Sequence, residues 1–431
     1  MYLSDRLHAL GLSGAAGPSV RAPFAGWLGE GDGSHFMGRA SCALAIFAAL
    51  LASTTPSPLY QVYVAEWDLP ASAGTTIFSV YALGTLLALF LSGRIDRRIS
   101  DRRQVLLPAL VCTAIGALVF AAADGVGMLL AGRLLSGVST GLITSAASAA
   151  ILELDLPERR GRAATVATVA FTGGAAFGPC LSSAALAAGL APLVSPFLAI
   201  AVIAAIAFLG LSAAPWPPRR RQAGPAAKAA RTVRPLAGTE LTGGLFRLAC
   251  LAIAVAWMLG SMLMAMGVTL ATDLFGLTFH ALAGLMPALF QLFAGIGQVL
   301  AGRVRPIRAI LAGTALLALL PLATLVGAAA ALPAVFVLAM PLCGLAYGAA
   351  FAGGAALVNA ISEPTELGAR IARFYVVGYL ANAIPTFVFG YMVDAFGLSP
   401  AYAGFTLCLA LAAAAGVLLA LRSQRALARG A

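Results

Sequence analysis

Apolar residues run along the chain in twelve long blocks separated by short polar segments. The blocks lie at roughly 40–63, 72–92, 104–122, 126–150, 162–188, 192–214, 245–271, 280–301, 307–328, 333–357, 369–392 and 398–421. Each is close to the ~20 residues that a helix needs to cross a bilayer. Within a block, apolar residues follow one another without the alternation of a membrane-barrel strand. The pattern predicts an all-α membrane protein with twelve spanning helices. Pro56 and Pro58 are expected to break the first span near its outer part.

Of the 431 residues, 61% are hydrophobic and 10% charged, too little charge to coat a soluble protein of this size. The placement of that charge predicts orientation. With both termini inside, the inner segments carry Arg39, the cluster from Arg94 to Arg103, Arg159, Arg160, Arg162, the run from Arg219 to Arg234, Arg303, Arg305, Arg308, Arg370, Arg373 and the tail from Arg422 to Arg429. The outer loops carry Glu66, Asp68, Asp124 and Asp273 and neither Lys nor Arg. Positive residues on the inner side predict cytoplasmic termini. The net charge of +11 sits in short runs without interleaved aromatics, a topology signal rather than a nucleic-acid surface. Arginine outnumbers lysine 26 to 1, which fits a GC-rich bacterial genome and an inner-membrane location.

Six cysteines lie mostly inside apolar blocks without CxxC pairing, and the three histidines are scattered. Buried thiols are expected, with neither metal nor disulfide, and no cofactor. Residues 1–38 form a Gly-rich tail without a cleavable signal, expected to be disordered, and Met37 offers an alternative start. Residues 39–214 and 245–421 then form two six-helix halves, joined by a Pro- and Arg-rich cytoplasmic linker at 215–244, with a tail at 422–431.

The halves echo each other. "LSGRIDRR" after span two matches "LAGRVRPIR" after span eight, and "SGVSTG" in span four matches "CGLAYG" in span ten, at offsets of 209 and 207 residues. "RRGRAA" before span five faces "ELGARIA" before span eleven. Two parallel six-helix halves with such a linker resemble the major facilitator superfamily. "GRIDRRISDRR" is similar to that family's loop G-x-L-A-D-R-x-G-R-K, "RLLSG" to its R-x-x-x-G element, and "GAAFGPCLSS" to its antiporter signature G-x-x-x-G-P-x-x-G-G. The loop fits in two registers, with either Asp96 or Asp101 as the motif aspartate, and Ser182 and Ser183 replace the closing glycines of the third element. The resemblance is greatest to the twelve-span bacterial efflux branch.

The resemblance implies a cytoplasmic latch that stabilises an outward-facing state. Its candidates are Gly93, Asp96, Arg97, Asp101, Arg102 and Arg103, with Glu153 and Asp155 at the end of span four within reach. An Asp96 or Asp101 pairing with Arg102 is expected, alongside loop arginines on Glu153 or Asp155. Arg133 is the one formal charge placed well inside a span. A mid-membrane arginine costs about 2.5–3.5 kcal/mol on insertion scales, so it is expected to face a cavity or a partner, on a polar face with Gly137 and Gly141. Snorkelling to the outer headgroups is the alternative. Thr54, Tyr60, Gln61, Tyr81, Gln291 and Asn382 are further candidates for the transport path. Gly174, Gly178 and Pro179 form the antiporter-like element, which ordinary helix packing also explains. No carboxylate falls deep in a span, leaving Glu66 and Asp273 as boundary candidates for proton binding.

These residues predict a secondary transporter, not an enzyme, that exports a small amphipathic compound or metabolite by alternating access coupled to proton influx. A uniporter or importer of a small organic anion using Arg133 is the alternative, and a polytopic membrane enzyme a more distant one. The expected partners are the substrate, protons and the lipid bilayer, with no nucleic acid, and the chain is expected to act as a monomer.

Overall fold

The computed structural model describes residues 35–95, 101–155, 160–216, 239–277, 280–363 and 366–429. It contains twelve helical segments long and apolar enough to cross a membrane. Their helices are Phe36–Glu66 (span one), Ala71–Ile95 (two), Arg103–Ala121 (three), Val126–Glu153 (four), Arg160–Ala188 (five) and Ser195–Ala213 (six). The second set is Thr239–Leu274 (seven), His280–Ala301 (eight), Pro306–Ala329 (nine), Pro333–Ile361 (ten), Leu367–Phe396 (eleven) and Leu398–Arg429 (twelve). Exposed side chains such as Leu83, Leu87, Phe90, Val202, Leu209 and Leu411 coat the outward faces, the surface that lipid would meet.

Span one carries the expected break. Its α-helix runs from Phe36 to Thr54, passes through a 3₁₀ turn at Ser57–Leu59 and resumes at Tyr60–Glu66. Pro56 and Pro58 lack the N–H that would continue the helical ladder. Span seven ends in a π-helical turn at Leu270–Leu274. Its helix begins at Thr239, inside the segment expected to be linker, and span twelve continues beyond residue 421 to Arg429. Helical hydrogen bonds are satisfied within the segment, so polar residues can extend a helix past its apolar block. The rest of the expected linker lies largely outside the described residues, as do residues 1–34.

Packing repeats between the halves. Span two packs on four as eight does on ten, three on four as nine on ten, and one on five as seven on eleven. Span three meets six as nine meets twelve, and span one meets four and six as seven meets ten and twelve. Matched glycines make the closest crossings possible. A Cβ on Gly137 would collide with the Tyr81 carbonyl of span two, and one on Gly344 with the Phe290 carbonyl of span eight. Gly141 and Gly348 repeat this a turn later against Ala88 and the Ala294 carbonyl. Gly137 and Gly141 thus seat a neighbouring helix, as small residues commonly do in membrane bundles.

The halves meet along two seams, span two against eleven and span five against eight. At the end away from the termini, here the far end, Asp394 accepts backbone N–H bonds from Ala71 (2.7 Å) and Ser72 (3.1 Å). Gln61 donates to the Thr272 hydroxyl (3.0 Å), and Ser79 to the Ala383 carbonyl (3.1 Å). Gly390 lies against Ser72 and Thr75, and Gly284 against Ser183. These contacts join the halves on the far side of the bundle's middle.

Candidate functional site

A cavity of about 360 Å³ lies between the halves, in the part of the bundle nearer the termini. Seven spans reach it, six of them through residues at helical spacing and span seven through Trp257 alone. From the first half come Thr85 and Leu89 of span two, Gly141, Thr144, Ser145 and Ser148 of span four, and Ala167, Thr168, Phe171, Thr172 and Ala175 of span five. From the second come Trp257 of span seven, Gln291, Ala294 and Gln298 of span eight, Tyr347 and Phe351 of span ten, and Tyr375 and Tyr379 of span eleven. One wall is therefore rich in hydroxyls and the other in rings.

The ring wall is a connected cluster. Trp257 makes an edge contact with Tyr379 at 4.8 Å between centroids and approaches Phe351 at 5.8 Å and Tyr375 at 6.1 Å. Such offset and edge-on pairs fix ring positions beyond what area burial alone gives. The Trp257 indole N–H and the Thr172 hydroxyl are buried without a protein partner. No Asp, Glu, Lys, Arg or His is among the described lining residues.

Of the residues expected on the transport path, Gln291 lines the cavity, and three others gather beside it. Arg133 is 1% exposed, so it does not snorkel. Its Nη1 donates to the Ser53 carbonyl of span one at 2.7 Å. Its guanidinium lies 5.0 Å from the Tyr81 ring centre, 5.3 Å from Phe78 and 5.7 Å from Tyr60. Ring faces attract a desolvated cation, which offsets part of the cost of burying it. Among the described residues no carboxylate pairs with Arg133, and its Nε has no partner. Thr54 bonds back to the Leu50 carbonyl and packs on span five. Gln61 serves the far-end contact with Thr272, and Asn382 has a buried Oδ1 without a protein partner.

Gly174, Gly178 and Pro179 of span five lie against span one. Cβ atoms on the two glycines would collide with the Phe47 carbonyl and with Thr54, and Ser182 donates to the Thr55 carbonyl at 2.5 Å. The element thus holds a contact within the first half. Glu66 and Asp273 are both exposed at the far end, and Thr272 donates to Asp273 at 2.6 Å.

At the near end, ion pairs tie the first half together. Arg102 grips Glu153 with Nε and Nη2, at 3.1 and 2.8 Å. Arg103 pairs with Asp101 at 2.8 Å, and Asp101 also accepts the Arg103 backbone N–H. Asp101 pairs with Arg103 because the helix start brings the Arg103 N–H and guanidinium to the same carboxylate; the alternative expectation, Asp96 with Arg102, falls outside the described residues. Arg103 further reaches the Ala214 carbonyl and the Trp216 ring just past the end of span six. Asp155, 4% exposed at its side chain, takes Arg39 of span one at 2.7 Å. Asp96 and Arg97 lie outside the described residues, and Gly93 sits in the last helical turn of span two.

The cysteines are free thiols. Cys42 and Cys343 are buried, Cys112, Cys180 and Cys250 partly so, and Cys408 is exposed on the outer face of span twelve rather than buried.

The ring wall of Trp257, Tyr347, Phe351, Tyr375 and Tyr379 belongs to none of the motifs read from the sequence; its signal there is the four-residue spacing of Tyr347 with Phe351 and of Tyr375 with Tyr379.

Residues 42–305, more than half of the chain, match a family model described as Major Facilitator Superfamily. Among solved structures, the chain is similar to a bacterial homolog of the human lysosomal transporter Spinster in an inward-facing, unoccupied conformation. There the TM-score is 0.68 at 15% identity, covering 91% of this chain and 98% of that one. A POT family transporter in complex with 5-aminolevulinic acid gives 0.72 at 12%, covering 90% and 96%. A D-xylose-proton symporter gives 0.66 at 18%, also covering 90% and 96%. At these identities the likeness is one of fold.

Proposed function

The chain belongs to the Major Facilitator Superfamily, and from that premise we propose that it exports a small amphipathic compound across a bacterial inner membrane in exchange for protons. The observation that carries this reading is the cavity between the halves, with hydroxyls on one wall and rings on the other, on the opposite side of the bundle from the contacts that join the halves. In alternating access the two halves rock about a central site, opening it to one side at a time. With cytoplasmic termini, as the arginine distribution favours, this is an inward-facing state ready to take substrate from the cytoplasm. The chain acts as a monomer, and each half moves as a unit, the first held together at the near end by its ion pairs.

The resemblance of the span-five element to the antiporter signature supports export. Proton coupling is assigned to the far end. Gln61 of span one donates to Thr272, which donates to Asp273 of span seven. Protonating Asp273 removes the charge that orients this chain of hydrogen bonds and so weakens one tie between the halves. Glu66, exposed at the same end, is a second carboxylate in position to take part. An organic anion bound by Arg133 is less well supported, because that residue is sealed beneath Tyr60, Phe78 and Tyr81 and does not line the cavity.

The test is flux in proteoliposomes with an imposed pH gradient, across neutral, cationic and anionic compounds. Uphill movement of at least one compound, abolished by collapsing the gradient, is the expected result. Flux indifferent to the gradient would remove proton coupling from the account.

A further inference from the structure

The near ends of the two halves are charged differently. In the first half Arg39, Arg102 and Arg103 each hold a carboxylate, that of Asp155, Glu153 and Asp101, at 2.7–2.8 Å. In the second half Arg247, Arg303, Arg308, Arg373, Arg422 and Arg425 are exposed. None of them pairs with a carboxylate among the described residues. We infer that the phosphates of anionic lipid headgroups take the place of the missing carboxylates, and that they dock where spans seven, nine and twelve meet.

The repeat shows what the second half lacks. Glu153 ends span four, and at an offset of 208 residues Ile361 ends span ten. Arg102 grips Glu153, whereas Ile361 is 8% exposed and packs in an apolar cluster with Leu245 and Leu248 of span seven. Arg39 and Arg247 stand at the same offset, as do Asp155 and Glu363. The first pair closes at 2.7 Å, but no ion pair joins Arg247 to Glu363. Glu366, the other acid after span ten, is taken by Arg370 at 2.7 Å.

Packing brings three of the free arginines to a similar depth. Gly416 of span twelve lies against Thr314 of span nine and Leu251 of span seven. Arg308 and Arg422 are each six residues nearer the near end than this crossing, about 9 Å along their helices. Arg247 is four residues nearer than Leu251, about 6 Å. The three helices pack on one another, so like charges gather where the chain supplies no described counter-charge.

The surface above the arginines identifies the occupant as a lipid. Leu411, Leu418, Arg422 and Arg425 follow at helical spacing and share one face of span twelve. The two leucines are 72% and 58% exposed. On span nine, exposed Leu319, Leu316 and Ala312 lead in the same way to Arg308. A lipid meets both features, with acyl chains along the leucines and phosphate oxygens at the planar guanidinium forks. A soluble phosphate would use the arginines alone. Basic clusters between spanning helices recognise anionic headgroups in this manner, and the attraction weakens as salt screens it.

Electron spin resonance of the full-length protein in phosphatidylcholine vesicles tests the site, with spin-labelled phosphatidylglycerol compared with spin-labelled phosphatidylcholine. The protein-associated fraction should favour phosphatidylglycerol at least threefold. Arg308→Gln with Arg422→Gln should remove most of that preference, and either change alone should remove part of it. Arg308→Lys with Arg422→Lys, which keeps the charge, should retain it. Arg303→Gln with Arg373→Gln takes the same charge from the same end, on span eleven and in the connection after span eight, and should also retain most of it. Equal association of the two lipids, or equal loss in the two glutamine pairs, overturns the site. Inorganic phosphate, at an ionic strength matched with sodium chloride, should displace no more phosphatidylglycerol than chloride does. Specific displacement by phosphate would make the ligand a soluble anion and overturn the lipid assignment.

Discussion

Asp394, on the last turn of span eleven, accepts the backbone N–H of Ala71 at the start of span two. The bond is 2.7 Å long, and a second runs from Ser72 to the other carboxylate oxygen. A carboxylate at a helix N-terminus satisfies donors that have no partner within the helix and meets the positive end of its dipole. Here the helix and the carboxylate belong to different halves, so the contact favours the state in which the far end is closed. Replacing Asp394 with Asn keeps the shape and removes the charge. At this exposed site the loss should be about 1 kcal/mol, or about fivefold in the balance between closed and open far ends. The ratio of the long-distance to the short-distance population of spin-label pairs across the far end should rise in that proportion. An unchanged distance distribution would mean that Asp394 does not bias the equilibrium.

Arg133 separates function from stability in a measurable way. It is buried, unpaired by any described carboxylate, and held by the Ser53 carbonyl and three rings. Arg133→Met retains most of the side-chain volume and removes the charge. Because a buried arginine is costly, about 2.5–3.5 kcal/mol on insertion scales, the variant should melt at a higher temperature than the parent. If the charge serves transport, flux should nonetheless fall at least tenfold. Higher stability with full flux would make Arg133 dispensable to the transport cycle.

Helix crossings at matched glycines predict a matched sensitivity. Gly137→Ala and Gly344→Ala each place a methyl group into a carbonyl of the neighbouring span. Both should lower the melting temperature by several degrees, roughly the effect of 1–2 kcal/mol in a chain of this size. Gly127→Ala, on the same span as Gly137 but with nothing within 4 Å of the added carbon, should not be destabilising. Equal behaviour of all three in a thermal-shift assay would refute the packing role.

The two aspartates of the near-end loop should also part company. Both oxygens of Asp101 are engaged at the start of span three, by the backbone N–H and the guanidinium of Arg103. Asp101→Asn should therefore act locally, lowering stability by no more than about 1 kcal/mol because the pair is partly exposed. Asp96, outside the described residues, is the other latch candidate. Asp96→Asn should then bias the protein toward the inward-facing state, read as greater labelling of cysteines placed in the cavity at Ser148. Identical labelling in the two single variants would argue against this division.

Much of the fold was legible because a bilayer imposes a length on every spanning helix. The apolar blocks matched the helices closely except at the start of span seven and the end of span twelve, where polar residues extend the helix, and Pro56 with Pro58 marked the break in span one. The site was less legible, because a stripe of residues does not say which way it faces. Tyr375 and Tyr379 on span eleven line the cavity. Phe387 and Tyr391, with the same spacing on the same span, are 39% and 52% exposed on the outer surface. Only the packing of seven helices distinguishes the two pairs. Arg133 was conspicuous as a charge in a span, but its enclosure by Tyr60, Phe78 and Tyr81 depends on contacts between three helices distant in sequence. Gly137 and Gly141 read as part of a polar face, and of the two Gly141 lines the cavity while Gly137 seats span two: a small residue in a span serves a cavity or a crossing equally well, and its neighbour decides.

In alternating access the halves must part at the far end for substrate to cross. Ser79 and Ala383 touch across the seam between spans two and eleven. With the six native cysteines replaced, Ser79→Cys and Ala383→Cys can be tied by a short, reducible cross-linker and flux measured in proteoliposomes before and after reduction. Alternating access predicts that cross-linking abolishes transport and that reduction restores it. Full flux through the cross-linked protein would contradict it.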